Sequence, residues 1–350
     1  MSVSPISPNP LGVGFLGAGP VTQAIHLPAL AGLGHLFSVR AVMDADGGTA
    51  RSVAARAGAR PSTSVQDVLQ DESIDVIAVC SPHPFHAEQV IEACLAGKKV
   101  VLCEKPFATT VEDATRIAEV CATTGVPVLV GAMHTHDPGW LAFTQAWGET
   151  AGSAQHIRCS AVLPPNPRFE DFATEVSHRP PAPTGPTAAA DRIRDGVLGL
   201  AIHDLPLIRA FLAEPGQIVV HEARSLTPFG YSIIFSSAGQ VVELHALMSE
   251  NWDPHWSFQV FAPTRAATVT FMPSYVQAGP ADVVIDEAGR RTQLKAAPHN
   301  GYLGEWQHLY DVAHGGAPRY GTAELVADLA FALDVAEQAC GAAATTNRAA

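Results

Sequence analysis

Val13–Leu16 is a short apolar run that ends in glycines and lacks the polar alternation of a half-exposed strand. Such a run suits a strand buried on both faces, as the strands of a parallel sheet are. Val21–Leu33 follows with the apolar spacing of a helix. Ser38–Met43 predicts a second strand, and Thr49–Ala57 a second helix closed by Gly58. Ile74–Cys80, Phe85–Ala96, Lys99–Cys103, Val111–Thr124 and Val126–Gly131 continue as strand, helix, strand, helix, strand. This alternation predicts βαβ units on a doubly wound parallel sheet.

The pattern changes after about Asp137. Gln155–Leu163 predicts a strand, Pro164–Pro186 a proline-rich surface loop, and Ala188–Phe211 a helical stretch interrupted near His203. Five strand-like runs then follow with turn residues between them: Ile218–Ala223, Tyr231–Phe235, Val241–Ser249, Ser257–Phe261 and Ala267–Thr270. Their spacing predicts a mostly antiparallel sheet. Tyr302–Ala313 and Glu324–Cys340 predict closing helices. The fold class is therefore α/β: a Rossmann domain over residues 10–133, then an α+β domain over 134–350.

Composition narrows the function. The chain has 350 residues, 47% hydrophobic and 16% charged, which reads as globular with length for about two domains. A net charge of −13 argues against a nucleic acid or an anionic membrane surface as main partner. Met1–Pro10 lacks the basic start and apolar run of a signal peptide and reads as a disordered lead-in. The six cysteines form no C-x-x-C pair, which suggests free thiols in a reducing cytoplasm.

Gly17-Ala18-Gly19-Pro20-Val21-Thr22 lies at the first strand-to-helix turn. Gly17 would allow the tight turn, and Gly19 would let the backbone approach a pyrophosphate at the helix N-terminus. Thr22 stands where the fingerprint has its third glycine. Asp44 ends the second strand, at the spacing of an acid that binds the ribose 2′-hydroxyl. A carboxylate there would repel a 2′-phosphate, so NAD is expected over NADP.

Ser81-Pro82-His83-Pro84-Phe85-His86 follows the third strand, and Glu104-Lys105-Pro106 the next. With His26-Leu27-Pro28-Ala29-Leu30, Gly97-Lys98-Lys99-Val100, Asp137-Pro138, Tyr302, Glu305 and the Gly316–Pro318 segment, the chain resembles the glucose–fructose oxidoreductase, inositol dehydrogenase and rhizopine catabolism (Gfo/Idh/MocA) family. The resemblance implies an NAD(P)-binding Rossmann domain and a second domain on an open antiparallel sheet that often mediates dimers or tetramers. It implies oxidation or reduction of a secondary alcohol on a sugar, aminosugar or cyclitol, without a metal. It places Gly17, Gly19, Pro20, Val21, Asp44, Ser81, Pro82, His83, His86, Glu104 and Lys105 at the cofactor.

By the same analogy Lys105 sits beside the nicotinamide and the substrate hydroxyl, where an ammonium can stabilise a developing alkoxide. The family's second signature, Asp-x-x-x-His, matches Gly199-Leu200-Ala201-Ile202-His203, so the histidine is kept and the aspartate is replaced by Gly199. Asp204 is adjacent to His203, but successive helical residues point about 100° apart, so it is not an automatic substitute. Lys105 and His203 are the expected acid/base pair, and His134, His178, His299 and Tyr302 the expected substrate contacts. Trp252 and Trp256 read as packing or interface residues. Two other readings stand beside the dehydrogenase: a redox-neutral enzyme that oxidises transiently before elimination or epimerisation, and a non-catalytic dinucleotide-binding regulator.

Overall fold

The computed structural model describes residues 9–165, 176–177, 188–249, 254–273, 276 and 278–349, so His178 and Trp252 lie outside the described residues. The chain divides into two compact units. One comprises Met1–Gly131, Glu170–Pro181 and Glu305–Val326; the other comprises Ala132–Phe169, Ala182–Gly304 and Ala327–Ala350. The first crossover falls at Gly131 and Ala132, and two later segments return to the first unit.

In the first unit, β1 (Leu11–Leu16), β2 (Phe37–Met43), β3 (Arg60–Ser62), β4 (Val76–Val79), β5 (Val100–Glu104) and β6 (Val128–Gly131) form one parallel sheet in the order β3-β2-β1-β4-β5-β6. The order reverses between β1 and β4, which is where open α/β sheets bind ligands, at the carboxyl ends of the strands. The loops carrying Gly17–Gly19, Cys80–Ser81 and Glu104–Lys105 all leave the sheet at that edge. Val13, Phe15, Leu16, Val76, Ile77 and Val101 are fully buried, each contributing about 1.5–3 kcal/mol of hydrophobic stabilisation. The sequence reading missed β3 and the short helix Val65–Leu69. Pro61 masks the strand, since proline is tolerated only at an edge such as this one.

The helix after the glycine-rich turn begins with a widened turn, Thr22–His26, in which the Leu27 amide donates to Thr22 O. Such i→i+5 turns concentrate at functional positions. Here Thr22 Oγ1 donates to Gly17 O at 2.7 Å and ties the helix back to the turn.

In the second unit, β7 (His156–Leu163), β8 (Ile218–Leu226), β9 (Phe229–Ser237), β10 (Gln240–Met248), β11 (His255–Phe261), β12 (Arg265–Phe271), β13 (Asp282–Glu287) and β14 (Arg290–Gln293) form a sheet ordered β14-β13-β12-β11-β7-β10-β9-β8. Among the described strands of this sheet, only the β7–β10 pair is parallel. Registers place Tyr231, Ala246, Ala161, Trp256 and Phe271 in one cross-strand row. Helix Ala189–Gly199 covers this face, with Gly196 against the Tyr231 ring. Helix Pro138–Trp147 covers it too, through Trp140 on Phe258. The opposite face carries Ser160, Ser232, Ile234 and His245 around an Arg158–Glu243 ion pair of 2.8 Å.

The final hairpin, β13–β14, was also missed. Its turn holds Ala288 and Gly289 at φ 50° and 76°. Alanine is rare at positive φ, so the Asn-Gly or Asp-Gly signal of such a turn is absent. The predicted break near His203 is present: helix Ala189–Gly199 stops, Ala201–His203 makes one tight turn, and Leu205–Arg209 resumes. Pro206 opens that last helix, where a missing N–H costs nothing. Among the described residues, no helix is long and apolar enough to cross a membrane.

Helix Gly301–Ala313 carries Glu305, which belongs to the first unit and is 1% exposed. Neither carboxyl oxygen has a hydrogen-bond partner among the described residues. Burial pushes the Glu305 pKa up to about 8 from an ordinary 4.5; His26 opposes this and the Glu104 carboxylate adds to it. The folded chain thus keeps this proton over a range where the unfolded chain has lost it. Stability from this group is complete below about 4.5 and declines as pH rises through about 8. Glu305→Gln keeps a neutral side chain of similar shape and removes the titration. We predict that denaturant midpoints fall less steeply with rising pH across that window in the variant than in the wild type; equal slopes would contradict the assignment.

Candidate functional site

At the end of β1, Gly17 has φ +104°, and a Cβ there would lie 2.5 Å from Cys80 O. Only glycine meets both demands. At Gly19 a Cβ would meet nothing within 4 Å, so the turn borders open space. Asp44, just beyond β2, accepts the Ala18 amide on Oδ2 and the Asp46 amide on Oδ1, both at 2.9 Å. A carboxylate has about four acceptor sites, so this acid fixes the turn and still has lone pairs for ribose hydroxyls. Pro20 and Val21 are half-buried at the helix start. A tight glycine turn, open space at Gly19, a helix N-terminus and a strand-end acid together fit a dinucleotide pyrophosphate and ribose.

Gln23 was not among the residues expected at the site, yet it joins two of its segments. Its Nε2 donates to Ala18 O at 2.7 Å and Ser177 O at 3.0 Å, while its Oε1 accepts the Ser177 amide at 2.9 Å. Gln23 therefore holds the glycine-rich turn and Ser177 together. A polar side chain two residues beyond the expected binding positions of the turn gives no signal in one sequence.

The second loop is held from behind. His86 is fully buried, with Nδ1 2.8 Å from Pro106 O and Nε2 2.8 Å from Ser81 O. Both nitrogens lie against carbonyl oxygens, so the ring stands between the Ser81 loop and the Glu104-Lys105-Pro106 loop. Ser81 Oγ donates to Gln89 Oε1 at 2.7 Å, and Pro82 and His83 stand exposed at the loop tip.

Behind Lys105 runs a chain of polar contacts. The Trp306 indole N–H donates to His26 Nδ1 at 3.2 Å. Indole only donates, so His26 carries its proton on Nε2, which meets Glu104 Oε1 at 3.1 Å. Glu104 Oε2 in turn accepts the Lys105 amide at 3.2 Å. Burial would raise the Glu104 pKa, but the His26 hydrogen bond and the Lys105 charge outweigh it, and the carboxyl stays ionised below its ordinary range. Burial lowers the Lys105 pKa while Glu104 opposes the shift. β5 and β6 place Gly131 beside Glu104, and a Cβ at Gly131 would lie 2.8 Å from Glu104 Oε1.

The second unit gathers another cluster. His134 lies in the turn Met133–His136, and both His134 and His136 are buried. His134 Nδ1 lies 3.2 Å from Asp204 Oδ1, and the Trp256 indole donates to both Asp204 oxygens at 2.9 and 3.0 Å. The His203 ring is 6.0 Å from His134 and 5.7 Å from Trp256. Asp204 thus pairs with His134, a partner 70 positions away that sequence adjacency to His203 could not reveal. Tyr302 is buried beside a small cavity that His134 also lines, and His299 is half-buried with Nδ1 3.1 Å from Asn300 O. A Cβ at Gly199 would meet nothing within 4 Å.

The profile of the GFO_IDH_MocA oxidoreductase family, described as an NAD-binding Rossmann fold, matches residues 11–132. Inositol 2-dehydrogenase 3 of Saccharopolyspora erythraea is 40% identical over 129 residues, 37% of this chain and 38% of that protein's length. Inositol 2-dehydrogenase 1 of the same organism is 29% identical over 298 residues, covering 81% of this chain and 82% of the relative. In three dimensions the fold is similar to the 3-ketoreductase KijD10 of Actinomadura kijaniata, solved with NADP and TDP-benzene. That comparison has a TM-score of 0.71 at 19% identity and covers 94% of this chain and 98% of that one. Residues 11–132, with the glycine-rich turn and the Glu104-Lys105-Pro106 motif inside them, are similar to the NAD-binding Rossmann fold of the Gfo/Idh/MocA oxidoreductase family.

Proposed function

We propose that the chain is an NAD-dependent oxidoreductase that interconverts a secondary alcohol and a ketone on a sugar, aminosugar or cyclitol. The observation that carries this reading is the Trp306–His26–Glu104–Lys105 chain of contacts at the carboxyl edge of the parallel sheet. It fixes the Lys105 backbone and puts an ammonium of lowered pKa beside an ionised carboxylate. Bound NAD+ supplies the hydride acceptor for the carbinol carbon. Lys105 orients the hydroxyl and stabilises negative charge on its oxygen. His203 is the second acid/base group of this reading, with His134, His299 and Tyr302 as substrate contacts. The inositol dehydrogenases and the ketoreductase support the substrate class. Asp44 supports NAD over NADP, because a 2′-phosphate would meet its carboxylate; the bound NADP of KijD10 makes this choice worth testing directly.

The chain is further proposed to form a dimer or tetramer through the open face of the eight-stranded sheet. Ile234 and the Arg158–Glu243 pair lie on that face and suit a self-complementary contact. Light scattering should give at least twice the chain mass; a monomer at micromolar concentration would contradict this.

The activity is tested by incubating the protein with NAD+ or NADP+ and a panel of cyclitols and sugars. NADH should form faster than NADPH, and Asp44→Ala should narrow that difference. Lys105→Met should lose about 10²–10⁴-fold in rate while still binding NAD, since its side chain does not build the glycine-rich turn. Absence of cofactor reduction with every polyol would defeat the proposal, and faster reduction of NADP+ would defeat the NAD assignment alone.

A further inference from the structure

Gly199 removes the carboxylate that the family signature places four residues before His203, yet the second unit holds a buried carboxylate against a different histidine. We infer that His134, set by Asp204, takes and returns the hydroxyl proton of the substrate. This rests on the oxidoreductase reading and adds a catalytic residue to it, with Asp204 as a positioning residue.

Asp204 is 2% exposed. Its two oxygens share the Trp256 indole N–H, and an ionised carboxylate can only accept. His134 Nδ1, 3.2 Å from Oδ1, must therefore carry a proton and donate it. In the neutral ring this leaves Nε2 with a bare lone pair. Nε2 is buried and has no hydrogen-bond partner among the described residues. Such nitrogens are rare in folded proteins, and each calls for an explanation.

The ring cannot turn freely to satisfy it. His134 stacks on Phe271 at 3.8 Å and 13°, and stands edge-on to Trp256 at 4.6 Å and 82°. Trp256 and Phe271 are cross-strand partners on β11 and β12, so the platform under the imidazole is part of the sheet. His134 also borders a cavity of about 20 Å³ with Asp137, Asn300 and Tyr302. That volume admits one water-sized oxygen among polar neighbours, and a substrate hydroxyl has the same size and can donate to Nε2. A histidine whose Nδ1–H is held by a buried carboxylate, with Nε2 left unpartnered among the described residues, has the arrangement of a general base: the carboxylate fixes the tautomer and stabilises the imidazolium that forms.

The step balances. The substrate O–H bond breaks, its electron pair becomes the second bond of the carbonyl, and the proton goes to His134 Nε2. The carbon–hydrogen bond breaks with its electron pair, which leaves as hydride to NAD+. The imidazolium then releases its proton to solvent, so alcohol and NAD+ give ketone, NADH and one proton. Among the described residues, the ionisable groups around His134 include Asp204, His203, Asp137 and Tyr302.

Nitrogen NMR of the histidine-labelled full chain tests the tautomer without any turnover. The expected result is a His134 with Nδ1 protonated and Nε2 bare, lost in Asp204→Asn; a neutral His134 with Nε2 protonated would overturn the inference. In the active enzyme, His134→Gln should lower kcat by about 10²–10⁴-fold with NAD binding retained. Asp204→Asn should move the acidic limb of the kcat–pH profile to lower pH, because the imidazolium loses its counter-charge. Trp256→Phe, which serves if His134→Gln does not fold, should move it higher, because a less-solvated carboxylate holds the imidazolium more strongly. A purely structural role moves neither limb, and that result would overturn the inference. A wild type that transfers hydride beside a His134→Gln variant of nearly equal kcat overturns this inference alone. A wild type that transfers none fails the oxidoreductase reading and this inference with it.

Discussion

The hydrogen bond between His26 and Glu104, 3.1 Å long, joins the helix that follows the glycine-rich turn to the strand end that carries Lys105. It holds the Lys105 end of the first site to the helix behind the glycine-rich turn. A buried carboxylate is costly unless it is paired and hydrogen-bonded, and Glu104 is supplied with His26 on one oxygen and the Lys105 amide on the other. Trp306 donates to the other nitrogen of the His26 ring and leaves Nε2 to meet Glu104. The widened turn Thr22–His26 belongs to the same requirement, since His26 is its last residue. The aromatic cluster of Phe15, His26, Phe37, Trp306 and Tyr310 packs around these contacts and excludes water from them.

The second unit solves a similar problem with different parts. There the sheet itself presents Trp256 and Phe271 as a floor for His134, and the indole of Trp256 reaches Asp204. In both units an indole N–H fixes one end of a histidine–carboxylate pair. In the first it reaches the ring and leaves the carboxylate to hold a lysine; in the second it reaches the carboxylate and leaves a ring nitrogen open. The same three residue types are thus arranged once to hold the backbone of a lysine and once to leave a buried ring nitrogen without a partner among the described residues.

Much of this was legible in the sequence, and the limits follow from range. Parallel strands show as unbroken apolar runs and helices as 3.6-residue spacing, so β1, β2, β4, β5 and β6 could be read locally. Gly17, Asp44 and Lys105 were legible because their chemistry depends on position relative to a strand end. β3 and β14 are three and four residues long and too polar to show a period. The partnerships of Asp204 with His134 and of His26 with Trp306 were not legible, because they join residues 70 and 280 positions apart through tertiary packing. Gly199 was legible as a departure, but what stands in its place depends on which side chains the fold brings together.

The central claim is that this chain moves hydride between a secondary carbinol and a nicotinamide. It is tested most directly by incubating the protein with unlabelled NAD+ and a cyclitol deuterated at its carbinol carbons, then examining the reduced cofactor by proton NMR. The account predicts deuterium at nicotinamide C4, confined to one face of the ring because the protein fixes both reactants. Ketone formed without reduced cofactor, or reduced cofactor that carries no deuterium, would contradict it.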